Sequence, residues 1–197
     1  MPDQPQQEPA PSGSRTGRHR VIAIDGPAAS GKSSVARELA RRLGFVYVNS
    51  GAMYRAVTWY VLEHNVDPTD HLRDDRVNDG VSLVSRVPRV REILVAKMRN
   101  YARGHDLVME GRDIGSVVFP DTPYKFYIDA SPEVRSQRRA RQGERDAISV
   151  RDHADSSRRA SPLVVAKDAE FIDTSNLTID GVVDEIIRRL KLKGFPI

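Results

Sequence analysis

The stretch "RVIAIDGPAASGKSSVA", residues 20 to 36, constrains the fold more than any other part of the chain. A short apolar run rich in β-branched residues reads as a buried strand, and Gly26-Pro27 ends it. "GPAASGKS", Gly26 to Ser33, then matches the spacing G-x-x-x-x-G-K-[ST] between that strand and a helix. Glycines let backbone N–H groups close around a polyphosphate, and the helix that follows adds its positive end. Gly26, Pro27, Ala28, Ala29, Ser30, Gly31, Lys32, Ser33 and Ser34 are therefore the expected nucleoside triphosphate site. Lys32 is expected at the β- and γ-phosphates, the Ser33 hydroxyl as a ligand of Mg²⁺, and Ser34 at the α-phosphate. A glycine turn followed by Lys-Ser with no ligand is the bland alternative, and the strand–loop–helix setting argues against it.

The rest of the chain alternates the same two periods. Val35, Leu39 and Leu43 follow at helical spacing. "FVYVN" (45–49), "DLVMEG" (106–111), "YKFYIDA" (124–130) and "EFIDT" (170–174) read as strands, and residues 50–64 as a helix. Val90, Ile93, Leu94, Met98 and Tyr101 predict an amphipathic helix after Pro88, and Ile179 to Leu190 another at the end of the chain. Strands alternating with helices imply a parallel sheet covered on both faces, an α/β fold. Residues 1–19 have almost nothing to bury and read as a disordered tail, leaving 20–197 as one domain. Two polar segments, Asp67–Asp79 and Gly143–Ser157, read as loops or movable flaps.

Composition removes several classes of function. No cysteine is present, which excludes disulfides and thiolate chemistry. His19, His64, His71, His105 and His153 form no metal-binding spacing. No apolar run approaches a membrane span, so a cytoplasmic protein is expected. The net charge of +4 favours anionic partners, but 6% aromatics is thin for stacking on nucleic acid, and none is expected as a partner. A guanine-reading Asn-Lys-x-Asp is absent, and a motor ATPase needs more chain. Eight arginines lie between Arg135 and Arg159. Two phosphates brought together despite their repulsion need such cations, so the reading is a small-molecule kinase. In "RDHADSSRR" (151–159), Arg151, Asp155 and Arg158 would share one side of a helix, although a solvated charge run has the same pattern.

"IDGPAASGKSSVA", "VNSGAMYRAV", "EGRDIGSVVFPD", "FYIDASPEVRSQRR" and "RDHADSSRRASPL" resemble, in order and phase, the blocks of bacterial cytidylate kinases, over about residues 20 to 190. The resemblance implies a phosphate-loop three-layer fold with a five-stranded parallel sheet. It implies transfer of the ATP γ-phosphate to CMP and dCMP, with Mg²⁺, by direct in-line displacement; a monomer is expected. Ser50 and Arg55 would hold the nucleoside monophosphate and Arg91 its phosphate. Arg112 and Asp113 would read the cytosine edge, with Ser82 also touching the base. Arg151 and Arg158 would clamp phosphates and, with Lys32, stabilise the migrating charge, while Asp155 would meet the ribose. Arg138 and Arg139 match positions near the triphosphate, and Glu110 either bonds a magnesium-bound water or is a satisfied strand-end carboxylate.

The monophosphate-binding segment would be about 67–104 and the lid about 142–160. Only "DPTDHLRDDRVNDG" fills the place of a larger insertion in such enzymes, and the lid is short as well. A kinase for UMP, AMP or a non-nucleotide acceptor, or a degraded nucleotide- or RNA-binding protein, is the alternative.

Overall fold

The structure, a computed structural model, describes residues 19–62, 80–81, 83–143, 152, 155 and 163–197. Among these residues five strands form one parallel sheet: β1 (Val21–Asp25), β2 (Val46–Asn49), β3 (Leu107–Gly111), β4 (Tyr124–Asp129) and β5 (Glu170–Asp173). Their spatial order is β2-β3-β1-β4-β5. All residues of β1 and β3 are buried, as befits strands covered on both faces.

The pleat sends alternate side chains into two cores. Ile22 and Ile24 of β1 join Val108, Phe126 and Ile128 on one face, under α1 (Lys32–Leu43) and the last helix, α5 (Ile179–Leu192). Ala23, Leu107 and Met109 face the other way, under α2 (Ser50–Leu62) and α3 (Pro88–Tyr101). Local chemistry sets the helix ends. Gly44, at φ 66°, stops α1 in the left-handed conformation, and Thr178 caps α5 by accepting from the Gly181 N–H at 3.1 Å. Ser131 caps α4 (Pro132–Arg141) in the same way. Ile186 of α5 is fully buried. Ile186→Ala is expected to cost about 2–5 kcal/mol, read as a lower urea midpoint at unchanged slope.

Two details differ from the sequence reading. Ile93 and Tyr101 are exposed, because α3 buries only the narrower stripe Arg91, Leu94 and Met98. A π-helical turn, Ile114–Val118, follows β3, where the sequence reading assigned no element. The α2 reading to residue 64 runs past the described residues, as do the tail and most of both polar segments. Among the described residues, no helix is long and apolar enough to cross a membrane.

The topology creates the site. The chain leaves β1 toward α1 on one face, and leaves β3 through the π-turn on the other. Connections that diverge from adjacent strands open a crevice above their carboxyl ends. Asp25 and Gly111, the last residues of β1 and β3, stand in register at its floor.

Candidate active site

A cleft of about 530 Å³ occupies that crevice. On one side the loop after β1 wraps it. Gly26 has no alternative there, since a β-carbon would overlap the Ile128 carbonyl oxygen. Ala29 (φ 58°) and Gly31 (φ 92°) adopt left-handed backbone, which turns successive amides toward one point. The loop's carbonyls are held from outside. Lys32 Nζ donates to Pro27 O at 2.8 Å, Thr174 Oγ1 to Ser30 O at 2.9 Å, and Arg138 Nη1 to Ser30 O at 3.2 Å. Arg135 Nη1 donates to Ala28 O at 3.4 Å. Because a trans peptide points its N–H opposite to its C=O, these anchors turn the Ala28, Ala29 and Gly31 amides toward the cleft. Ala28, Ala29, Gly31, Lys32, Ser33 and Ser34 line it, with Gly26, Pro27 and Ser30 behind.

At the start of α1, Ser33 Oγ donates to Glu110 Oε2 at 2.9 Å. Glu110 is 2% exposed, and Tyr47 OH donates to its other oxygen at 2.7 Å. Burial pushes the Tyr47 phenol up to about 12, with the Glu110 charge adding to it, so it stays protonated and donating. Asn49 closes the chain with Nδ2 to Tyr47 OH at 3.2 Å, while its Oδ1 accepts from Ala52 N at 2.8 Å and opens α2. Ser50, next in line, donates to the Glu110 carbonyl at 2.8 Å. A hydroxyl beside a buried carboxylate is an oxygen-donor set of the kind Mg²⁺ accepts.

The opposite wall carries Ser50, Arg55, Arg91, Arg112, Asp113 and Asp155. Here the pairing is crossed. Arg91, buried, forms an ion pair with Asp113 and lies 5.7 Å from the Tyr54 ring centroid. Arg112 Nε instead donates to Asp155 Oδ2 at 2.7 Å. Arg112 and Asp113 are thus adjacent in sequence but paired with different residues. Ser82, Arg151 and Arg158 lie outside the described residues.

Arg138 and Arg139 both line the cleft, and Arg138 also donates to the loop and to the Thr174 carbonyl at 2.8 Å. Arg135 pairs with Asp152 at 2.6 Å and so ties that residue to the loop. The sequence reading missed Asp25, whose carboxylate accepts from Ile114 N at 2.8 Å and Gly115 N at 2.7 Å. It also missed Tyr47 and Thr174. The one signal for Asp25 was an acidic residue ending an otherwise apolar strand.

A parallel sheet in this order, a phosphate loop on its central strand and a cation-lined wall across the cleft define a phosphate-loop fold of the small-kinase type. Shikimate kinase from Acinetobacter baumannii shares it, with a TM-score of 0.57 at 15% identity over 90% of this chain and 96% of that one. The match is closer in sequence to another group. The family model for cytidylate kinase matches residues 22–72 and 68–192. Cytidylate kinases of Clostridium botulinum (strain Langeland) and Pelotomaculum thermopropionicum are 39% and 40% identical to it, each over 86% of this chain and 97% and 95% of theirs.

The chain belongs to the cytidylate kinase family. The alignments run to 210 and 214 positions, more than the 197 residues of this chain, so these relatives carry segments it lacks. The family model breaks and resumes at 68–72, inside the short polar segment.

Proposed function

We propose that the chain transfers the γ-phosphoryl group of ATP to CMP and dCMP, giving ADP and CDP or dCDP. The observation that carries this is the buried Arg91–Asp113 pair facing the phosphate loop across one cleft. A guanidinium donates to the cytosine carbonyl and ring nitrogen, and a carboxylate accepts from the exocyclic amine. Uracil would turn a carbonyl toward that carboxylate and leave both acceptors unsatisfied. Because Arg91 is the group in contact with Asp113, we assign the base to Arg91 and Asp113. Arg112, held by Asp155, and Arg55 then take the acceptor phosphate, and Asp155 the sugar. This replaces the sequence-based roles of Arg91 and Arg112.

Transfer needs no covalent intermediate on the protein. The loop amides and Lys32 hold the β- and γ-phosphates, and the acceptor wall aims the CMP phosphate at them. Lys32, with Arg151 and Arg158 of the lid, supplies positive charge where negative charge builds. Ser33, with Glu110 behind it, would hold Mg²⁺, which neutralises phosphate oxygens when bound. Lid closure excludes water and limits hydrolysis of ATP. The same reading makes the protein a cytoplasmic monomer acting on free nucleotides rather than on nucleic acid or a membrane.

ADP release measured with CMP, dCMP, UMP, AMP and shikimate as acceptors tests it. Turnover with CMP and dCMP well above the others is expected. Turnover confined to a different acceptor contradicts the assignment, and ATP binding without turnover on any of them contradicts an enzyme.

A further inference from the structure

Asp25 lies beside Gly111, which lines the cleft, and has a role that neither the loop motif nor the family blocks assign. It ends β1, in register with Gly111 of β3 and Tyr127 of β4, and is 5% exposed. Each of its oxygens takes a different backbone amide, Ile114 at 2.8 Å and Gly115 at 2.7 Å. These are the first two residues of the π-turn, and they directly follow Arg112 and Asp113. The opening amides of a helical turn have no partner within it, and here the neighbouring strand supplies one. The fit is close. A β-carbon at Gly115 would stand 3.4 Å from Asp25 Oδ2 and 3.2 Å from the Lys125 chain.

We propose that Asp25 is a positioning residue for the acceptor nucleotide. By gripping the Ile114 and Gly115 amides it fixes Arg112 and Asp113 against Asp155 and Arg91, and so sets affinity for the nucleoside monophosphate without touching it. This rests on the acceptor site proposed above. The donor side is expected to be indifferent, because Lys32, Arg135, Arg138 and Thr174 anchor the phosphate loop independently of Asp25.

The grip depends on charge. Burial pushes Asp25 up to about 6, against the pull of the two amides, with Asp113 adding and Arg112 opposing. Among the described residues, Tyr127 and Lys125 of β4 also face it or its turn, and Arg99 of α3 donates to the turn's Val118 and Val117 carbonyls at 2.8 and 2.9 Å. Lys125 is committed elsewhere, to Asp168 at 2.7 Å and the Pro120 carbonyl at 2.6 Å. A proton on Asp25 turns one acceptor oxygen into a donor and releases one amide. The grip is therefore full above the folded-state value and weakens as pH falls through it.

Asp25→Asn keeps the shape but presents an NH₂ group to one of the two amides. At pH 7.5 the variant is expected to raise KM for CMP about tenfold or more, as when a charge-assisted hydrogen bond is lost, with kcat and KM for ATP within about twofold. The ratio of variant to wild-type KM for CMP should then shrink as pH falls from 7.5 to 5.5. The CMP phosphate titrates alike in both assays and cancels from the ratio. Equal losses for ATP and CMP, an unchanged KM for CMP, or a pH-independent ratio overturns the proposal while leaving CMP kinase activity intact. Wild-type protein inactive on CMP overturns both. If the variant does not fold, wild-type amide NMR decides. The Ile114 and Gly115 resonances should titrate near pH 6 together with CMP affinity, and static resonances overturn the proposal.

Discussion

Lys32→Ala is expected to lower kcat by about 10² or more while the protein stays folded. Lys32 opens α1 and is 7% exposed, so its ammonium acts in a partly dehydrated setting where charge is poorly screened. In the structure its Nζ donates to the Pro27 carbonyl at 2.8 Å, and Lys32 lines the cleft. During transfer the negative charge shifts toward the bridging and equatorial oxygens of the phosphates that this ammonium is proposed to hold. An interaction that strengthens in the transition state shows in kcat rather than in KM. Arg138, Arg135 and Thr174 keep the loop in shape without it, so circular dichroism and thermal midpoint should change little. Steady-state kinetics at saturating ATP and CMP checks this. Arg158→Ala is expected to have an effect of similar size, and near-normal turnover in both variants would refute the roles given to these cations.

The second large effect is expected at Asp113. Asp113→Asn should lower kcat/KM for CMP by about 10² or more, because a site built to bond an exocyclic amine then faces it with a donor as well as an acceptor. Its carboxamide can also donate to a uracil carbonyl, so discrimination between CMP and UMP should narrow in the same variant. KM for ATP should stay within about twofold, since the pair lies on the wall opposite the loop. The change also weakens the buried pair with Arg91, and breaking such a pair costs up to about 3–5 kcal/mol. Kinetics are therefore read beside a denaturation curve, at a temperature where the variant is fully folded. A loss spread equally over CMP and UMP would mean that Asp113 supports the fold without reading the base.

The loop and the sheet were legible because their signals are local. A β-branched run, a glycine at the left-handed position and a lysine at the helix start lie within fourteen residues of one another. Strand alternation with helices implied parallel pairing, and the resemblance supplied the strand number. The crossed pairing of the acceptor wall was not legible in the same way. Arg91 meets Asp113 from a different element, and Arg112 reaches a residue 43 positions away. Adjacency in "GRD" pointed to Arg112 beside Asp113, whereas the contacts run to Asp155 and Arg91.

One local clue was present. Arg91 sits three and seven residues before Leu94 and Met98, on the buried stripe of α3, where a charge is costly unless something answers it. The π-turn was illegible for a related reason. "IGSVV" carries no strong local preference, and its start is held by Asp25, 89 residues earlier in the chain. Ile93 and Tyr101 were misread in the opposite sense, as apolar residues at helical spacing that the narrower packed stripe leaves outside.

The central claim is that one cleft brings ATP and CMP together for direct transfer. It is tested most directly by ³¹P NMR of the protein mixed with ATP, Mg²⁺ and CMP. The account predicts that the CMP and ATP γ-phosphate resonances decline together as CDP and ADP appear in equal amounts, with no inorganic phosphate. ADP accompanied by inorganic phosphate, with CMP unchanged, would contradict it.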